Sequence, residues 1–254
     1  MSKHLKYLLA VGLLCLAPLV KADLQTLQTL HEIRSEGYKA ATYLLIDNNL
    51  YQRVREPGHR EAYHEALDGM DSRIRQIDNP SDLRTVFDQF TGMIRDLENQ
   101  PEDEAHYNLA TVNRIMQTHA QLDEVLAERY AEHADLADER LAVLHQQSLE
   151  TNQILLLYQN NMFSSIGVYF MDTHEGIFSD MNASIVERFS TMRSLLPEQA
   201  AAISQLDQQY SFIQPRLITY YQDWVPTIAA FYLLRNTDTL NNLAREQLRI
   251  STTG

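Results

Sequence analysis

The longest stretch without a helix-breaking residue constrains the fold of this chain most. The 65 residues from position 102 to 166 contain neither proline nor glycine, and most of them are good helix formers. Through nearly all the rest of the chain, apolar residues recur at intervals of three and four, and no stretch alternates with a period of two. This periodicity predicts an all-α protein made of antiparallel helical bundles.

Proline and glycine mark the predicted helix ends. A first helix over residues 24–54 should end at Pro57 and Gly58, because proline disfavours a helical residue before it and glycine permits a chain reversal. Ser81 is the predicted N-cap of a later helix. Further breaks are expected at residues 101, 172–176 and 197. We expect Pro215 to begin the last long segment and Pro226 to kink it.

Residues 102–166 allow two interpretations. An unbroken helix would be roughly 95 Å long at 1.5 Å per residue and would join two bundles as a rod. The alternative is a break near residues 133–135, where acidic side chains thin the apolar stripe.

A faint internal repeat favours two similar helical units. The matched segments are residues 43–49 with 155–161, 69–74 with 180–185, and 125–129 with 242–246, at offsets of 112, 111 and 117. Because the matches keep the same order along the chain, they predict one bundle over residues 23–131 and a second over residues 136–250.

The N-terminus has the three parts of a secretory signal peptide. Lys3 and Lys6 make a basic start, residues 8–19 are mostly apolar, and Ala22 precedes the predicted cut. The apolar run is shorter than the roughly 20 helical residues that span a bilayer, although a retained anchor is the alternative. We therefore predict that residues 1–22 are removed and that the protein is periplasmic, without a membrane span after cleavage. Cleavage would also remove Cys15, the only cysteine.

The charge balance restricts the kinds of molecule that this protein can bind. Beyond the predicted signal peptide the chain carries 34 acidic residues against 18 lysines and arginines. A surface this acidic repels nucleic acid and anionic membranes. The remaining partners are a small ligand or a periplasmic or inner-membrane protein.

Two tandem helical units behind a signal peptide resemble the periplasmic N-terminal region of type IV pilus chemotaxis transducers and the related nitrate-sensing modules. Each unit of that family opens with a helix rich in arginine and glutamine that leads into an aliphatic stretch, and residues 33–45 and 148–156 correspond to these helices. The resemblance implies a sensory module whose opening helices bind the ligand, with Arg34 and Tyr38 on the first. An anion-binding arginine cluster is reduced here to Arg34 and Lys39.

Polar side chains on the second opening helix are further candidates for ligand binding. Asn152, Gln153 and Gln159 lie among leucines, and an amide that faces a bundle interior needs a hydrogen-bond partner. A bound ligand is one such partner, and an amide on a neighbouring helix or exposure to solvent is the alternative. The aromatic residues 220–232 around Pro226 are either core or a partner groove.

A metal site is the remaining chemical possibility. Glu61 and His64 have the Glu-x-x-His spacing of di-iron bundles, with Asp68 one turn further, but only residues 103–106 offer a partial second pair. We therefore predict no metal, no cofactor and no enzymatic activity. The predicted function is a non-enzymatic sensory or adaptor module; the alternatives are a metal-dependent helical-bundle enzyme and an envelope scaffold without a ligand.

Overall fold

The fold is all-α over the residues described by the computed structural model, which are 3–49, 56–101, 109–163, 171, 173–222 and 224–253. Eight α-helices and no strand occur in these ranges, which confirms the predicted fold class. The helices are α1 (Lys3–Asp47), α2 (Pro57–Ile74), α3 (Ser81–Glu98), α4 (Leu109–Ala131), α5 (Glu139–Phe163), α6 (Ile177–Leu195), α7 (Ala200–Ile218) and α8 (Pro226–Thr253).

Several helix ends differ from the predictions. Ser81 is the first residue of α3 and not its cap, because Pro80 takes the N-cap position and no side chain caps it. Pro215 lies inside α7 rather than at the start of a helix. Pro226 begins α8 instead of kinking it, which suits a proline because the first helical turn needs no hydrogen bond from its nitrogen. The predicted end of the first helix, residues 50–54, lies outside the described residues.

The idea of one continuous helix over residues 102–166 is wrong. Helix α4 ends at Ala131, a 3₁₀ turn follows at Ala134–Leu136, and α5 begins at Glu139. The carboxylate of Asp138 accepts a hydrogen bond from the Leu141 amide at 2.8 Å, which is the geometry of an N-cap. The break therefore falls where the alternative interpretation placed it, and a specific side chain stabilises the new helix start.

Two hydrophobic clusters form the core. One consists mainly of residues from α1 to α4, among them Ile33, Tyr63 and Phe90. The other consists mainly of residues from α5 to α8. The division is incomplete, because Leu27 of α1 packs in the second cluster and Leu156 of α5 packs in the first. The two-unit division at residues 23–131 and 136–250 therefore stays a prediction.

Helix α1 is the central element, since it contacts α2, α4, α5 and α8. It runs antiparallel to α8, because residues 31, 32 and 39 pair with 241, 245 and 238 respectively. It runs parallel to α5, where residue 28 pairs with 145 and residue 35 with 152. The two predicted opening helices thus lie side by side along the boundary between the two clusters.

Candidate functional site

A line of buried polar side chains follows the boundary between α1, α5 and α8. We call it the polar seam, and it consists of Gln28, His31, Ser35, His145, Ser148, Asn152 and Asn241. At its centre the His31 and His145 rings stack with centroids 3.9 Å apart and planes at 10°. Each ring belongs to a different cluster-forming helix, so the stack joins the two halves of the molecule.

Hydrogen bonds assign the tautomer of both histidines. The His145 Nε2 donates to Gln28 Oε1 at 2.8 Å, and its Nδ1 accepts from the Tyr130 hydroxyl at 2.9 Å. The His31 Nε2 donates to Asn241 Oδ1 at 2.9 Å. The Gln28 amide nitrogen donates to Glu32, which fixes the orientation of that amide. Both imidazoles therefore carry a proton on Nε2.

Burial keeps these histidines uncharged near neutral pH. It lowers the pKa of His31 to about 4, and the hydrogen bond to Asn241 only partly opposes this effect. Burial, together with the adjacent His31, also lowers the pKa of His145 well below its ordinary value. An imidazolium in a buried site loses its hydration, and two of them in stacking contact would repel.

The rest of the seam is a network of amide and hydroxyl groups. The Asn241 amide nitrogen donates to Ser35 Oγ at 2.8 Å, and the Ser148 hydroxyl donates to Asn241 Oδ1 at 2.8 Å. The Asn152 amide nitrogen also donates to Ser35 Oγ, at 3.1 Å. Its carbonyl oxygen is buried with no hydrogen-bond partner among the described residues.

A second polar group lies beside the seam, between α1, α4 and α5. Arg34 donates from Nε and Nη2 to the two carboxylate oxygens of Asp123, at 2.8 and 3.0 Å. The Tyr38 hydroxyl donates to Asp123 at 3.0 Å and accepts from Gln153 Nε2 at 3.4 Å. Burial opposes ionisation of Asp123, but the hydrogen bonds and charge of Arg34 outweigh it and lower the pKa of Asp123. Arg34 is thus bound by an internal carboxylate.

A cleft of about 300 Å³ opens along these groups between α1, α4 and α5. Its walls are His31, Arg34, Tyr130, Ala134, Ala142, His145, Gln146, Leu149, Glu150 and Gln153. Its second charged group, Glu150, also has an internal counterion, because Arg188 donates to both carboxylate oxygens at 2.8 and 3.0 Å. The cleft therefore combines compensated charges with neutral hydrogen-bonding groups.

The structure brings four of the five predicted ligand-binding residues into one region. Arg34 and Gln153 line the cleft, Tyr38 lies behind Gln153, and Asn152 lies in the adjoining seam. Gln159 is elsewhere: it is buried, and its amide nitrogen donates to the Pro226 carbonyl at 2.8 Å, which is a structural contact with the start of α8.

Sequence reasoning missed His31, Asp123, Tyr130 and His145. The available signal was a histidine among the apolar positions of α1 and of α5, one turn after Leu27 and Leu141 respectively. Asp123 offered no local signal, because its partner Arg34 is 89 positions away in the sequence.

The Glu-x-x-His candidate for a metal site is not assembled over the residues described. Glu61 and Asp68 are exposed, and His64 pairs with Glu98 at 2.7 Å, while Glu98 also accepts from Tyr63. The partial second pair at residues 103–106 lies outside the described residues. In the described part of the chain, no three histidine, cysteine or acidic side chains are grouped as metal ligands.

Comparisons of the chain with protein-family models, with curated proteins and with solved structures gave no match. Across the described ranges, no helix combines the length and the apolar character that a membrane crossing requires.

Proposed function

We propose that this protein is a non-enzymatic sensory or adaptor module of the periplasm that binds a small uncharged polar molecule in the cleft between α1, α4 and α5. The observation that carries the proposal is the lining of that cleft. Neutral His31 and His145, the Tyr130 phenol and the Gln153 amide line a concave space, beside the apolar Leu149. Few polar groups in a partly apolar concavity are typical of a small-molecule site.

The charges around the cleft favour an uncharged ligand. Arg34 is bidentate to Asp123, and Glu150 is bidentate to Arg188. An ionised ligand would lose hydration on entry and would gain no free counterion unless one of these pairs broke, which is costly for buried charges. An uncharged ligand differs from the anion that the family resemblance implies.

The position of the cleft favours a sensory role over simple storage. His31 and Arg34 belong to the first half of the chain, whereas His145 and Gln153 belong to the second half. A ligand that contacts both sets stabilises one arrangement of the two helices relative to other arrangements. The basic and apolar N-terminus supports the periplasmic location.

A thermal-shift screen with two ligand panels tests the proposal. The first panel contains uncharged amides, ureas, polyols and nucleobases; the second contains nitrate, phosphate and carboxylates. We expect members of the first panel to raise the melting temperature, because a ligand at about 100 times its Kd adds about 2.7 kcal/mol of stability.

Matched variants locate the binding. Gln153→Ala should weaken binding of any hit at least severalfold, whereas Gln76→Ala, at an exposed position on the surface beyond α2, should leave its Kd unchanged. The proposed ligand class is wrong if only anions stabilise the protein. The proposed site is wrong if Gln153→Ala binds a hit as tightly as the parent chain.

A further inference from the structure

The hairpin of α7 and α8 exposes large apolar side chains that the ligand-binding proposal does not use. Of the eight exposed large hydrophobic residues in the described part of the chain, five lie here, each about half exposed or more. We call them the aromatic face: Phe212, Tyr221, Trp224, Ile228 and Phe231. Clustered exposure of this kind marks an interaction surface more often than scattered exposure does.

Ring contacts show that the aromatic face is continuous across the two helices. Phe212 of α7 and Phe231 of α8 both contact the Tyr232 ring, with centroids 5.0 and 5.3 Å away. Ile228 precedes Phe231 by three positions and so lies on the same side of α8. Tyr221 and Trp224 lie in the turn that connects the helices, so the face includes the tip of the hairpin.

Two arginines border the aromatic face. The Arg216 guanidinium lies 5.5 Å from the Phe212 ring centroid, and that of Arg235 lies 5.0 Å from the Phe231 centroid. Neither has a carboxylate within 4 Å among the residues described. Residues 208–237 contain a single acidic residue, Asp223, in a chain that has 34. The hairpin is thus a basic, aromatic surface on an acidic protein.

We propose that the aromatic face docks on an anionic phospholipid surface. Tryptophan and tyrosine favour the boundary between lipid headgroups and hydrocarbon, where an apolar ring and a polar group are both accommodated. Arg216 and Arg235 can donate hydrogen bonds to lipid phosphates while their neighbouring rings enter the apolar layer. The acidic residues elsewhere on the protein repel this lipid surface only weakly, because exposed charges are screened beyond about 8 Å at physiological ionic strength.

The size and charge of the face favour lipid over a protein partner or a second copy. Half-exposed rings of this kind offer on the order of 500 Å² in total. A stable protein interface buries about 800 Å² on each partner. A two-fold dimer through the same face would also gather the Arg216 and Arg235 side chains of both copies around one interface, where like charges repel.

The aromatic face lies far from the apolar N-terminal segment. Residues 31–39 of α1 pair with residues 238–245 of α8, and the two helices are antiparallel, so the part of α1 before residue 31 leads away from the start of α8. The aromatic face is at the start of α8, around residues 224–231. Attachment of the full chain to lipid through residues 8–19 would therefore leave this face unburied.

The single tryptophan of the chain makes the test direct. Trp224 is the only fluorophore of its type, so its emission reports on the aromatic face and not on the N-terminus. Vesicles of phosphatidylethanolamine with phosphatidylglycerol are added to the full chain, and vesicles of phosphatidylcholine serve as the comparison. We expect a blue shift of Trp224 emission and its quenching by brominated acyl chains with the anionic vesicles, and a severalfold weaker response with phosphatidylcholine.

Two substitutions of the same kind separate the face from the rest of α8. Ile228→Ser should weaken the vesicle-induced shift severalfold, whereas Ile250→Ser, at an exposed site at the other end of α8, should not change it. Arg216→Gln combined with Arg235→Gln should abolish the preference for anionic lipid. Co-sedimentation with unchanged Trp224 emission overturns the proposal, since it means attachment elsewhere. A blue shift that depends on protein concentration without vesicles also overturns it, in favour of a second copy.

Discussion

At the residue scale, the ion pair of Arg34 and Asp123 decides what the candidate site can bind. The side chains are only 10% and 18% exposed, so neither charge can be left alone without a large penalty. The resemblance to anion-sensing modules singles out Arg34 as a ligand contact. The structure instead gives that arginine an internal carboxylate, which is why the proposed ligand is uncharged.

Removal of Asp123 should be strongly destabilising. Asp123→Ala leaves Arg34 buried and unpaired and takes away the acceptor of the Tyr38 hydroxyl. We expect the free energy of unfolding in urea to fall by about 3–5 kcal/mol. The control is Glu198→Gln in the exposed pair with Arg140, which should change stability by less than about 1 kcal/mol. Equal effects in the two variants would contradict the buried pairing.

The stacked histidines should make stability depend on pH. Because burial lowers the pKa of His31 to about 4, the unfolded chain binds more protons than the folded one below pH 6.5. The contribution of neutral His31 to the free energy of unfolding is therefore fully present above about pH 6.5 and is lost as the pH falls towards 4. For this residue alone the loss is about 2.5 kcal/mol between pH 7 and 4.5. His145, whose pKa is also lowered, adds in the same direction.

Urea unfolding at pH 7 and pH 4.5 checks this expectation. The His31→Gln variant should lose less stability between the two pH values than the parent chain, and the exposed His174→Gln variant serves as the control. Comparison of the variants is needed because burial raises the pKa of the Glu36 carboxyl, which changes stability in the opposite direction. An identical pH dependence in the parent chain and in His31→Gln would show that folding does not lower the pKa of His31.

At the element scale, the junction between α4 and α5 converts one long helical sequence into two antiparallel helices. Asp138 caps α5 through the Leu141 amide, and its other oxygen lies 3.3 Å from the Gln247 side-chain nitrogen and 3.4 Å from the Ser251 hydroxyl near the end of α8. One carboxylate thus stabilises a helix start and links it to the last helix of the chain.

Asp138→Ala should therefore lower the free energy of unfolding by more than the loss of an ordinary helix cap does. A cap alone contributes about 1 kcal/mol, and the contact with Gln247 adds to it. Asp138→Asn keeps an acceptor oxygen and should recover most of the loss. Thermal unfolding of the two variants measures the difference, and equal melting temperatures for Asp138→Ala and the parent chain would exclude the capping role.

At the scale of the whole molecule, the two core clusters are joined by a seam that is polar, buried and largely satisfied. Cleavage in the exposed stretch around residues 132–136 should leave both clusters folded. We expect the two fragments to remain associated in native buffer, because the contacts of α1 with α5 and α8 bury the His31–His145 stack.

Limited proteolysis followed by size-exclusion chromatography tests this association. A single native peak that contains both fragments, and that separates only in urea, is the expected result. Fragments that separate without denaturant, each folded, would instead support the two-unit division at residues 23–131 and 136–250 as independent domains. Asn241→Leu, which removes the hydrogen bonds to His31, Ser35 and Ser148, should weaken the association.

The sequence left a break near residue 133 and a continuous helix both open, and Pro57 and Gly58, which were expected to end the first helix, instead begin α2. It did predict the all-α fold and the turn at Gly176. These features are local: apolar spacing and the backbone limits of proline and glycine act within a few residues. Even so, local reasoning misplaced Ser81, Pro215 and Pro226, because helix ends also depend on what packs against them.

Packing between distant segments sets which polar residues face each other. It paired Arg34 with a carboxylate 89 positions away and stacked His31 on His145. It also placed Gln153 in the cleft while its neighbour along the same helix, Gln159, became a structural contact to Pro226. A polar residue on a helix stands in the same local sequence pattern whether its hydrogen bonds are made to solvent, to a neighbouring helix or to a ligand. The partner that does so is supplied by packing between distant segments, and packing is not encoded in any local spacing.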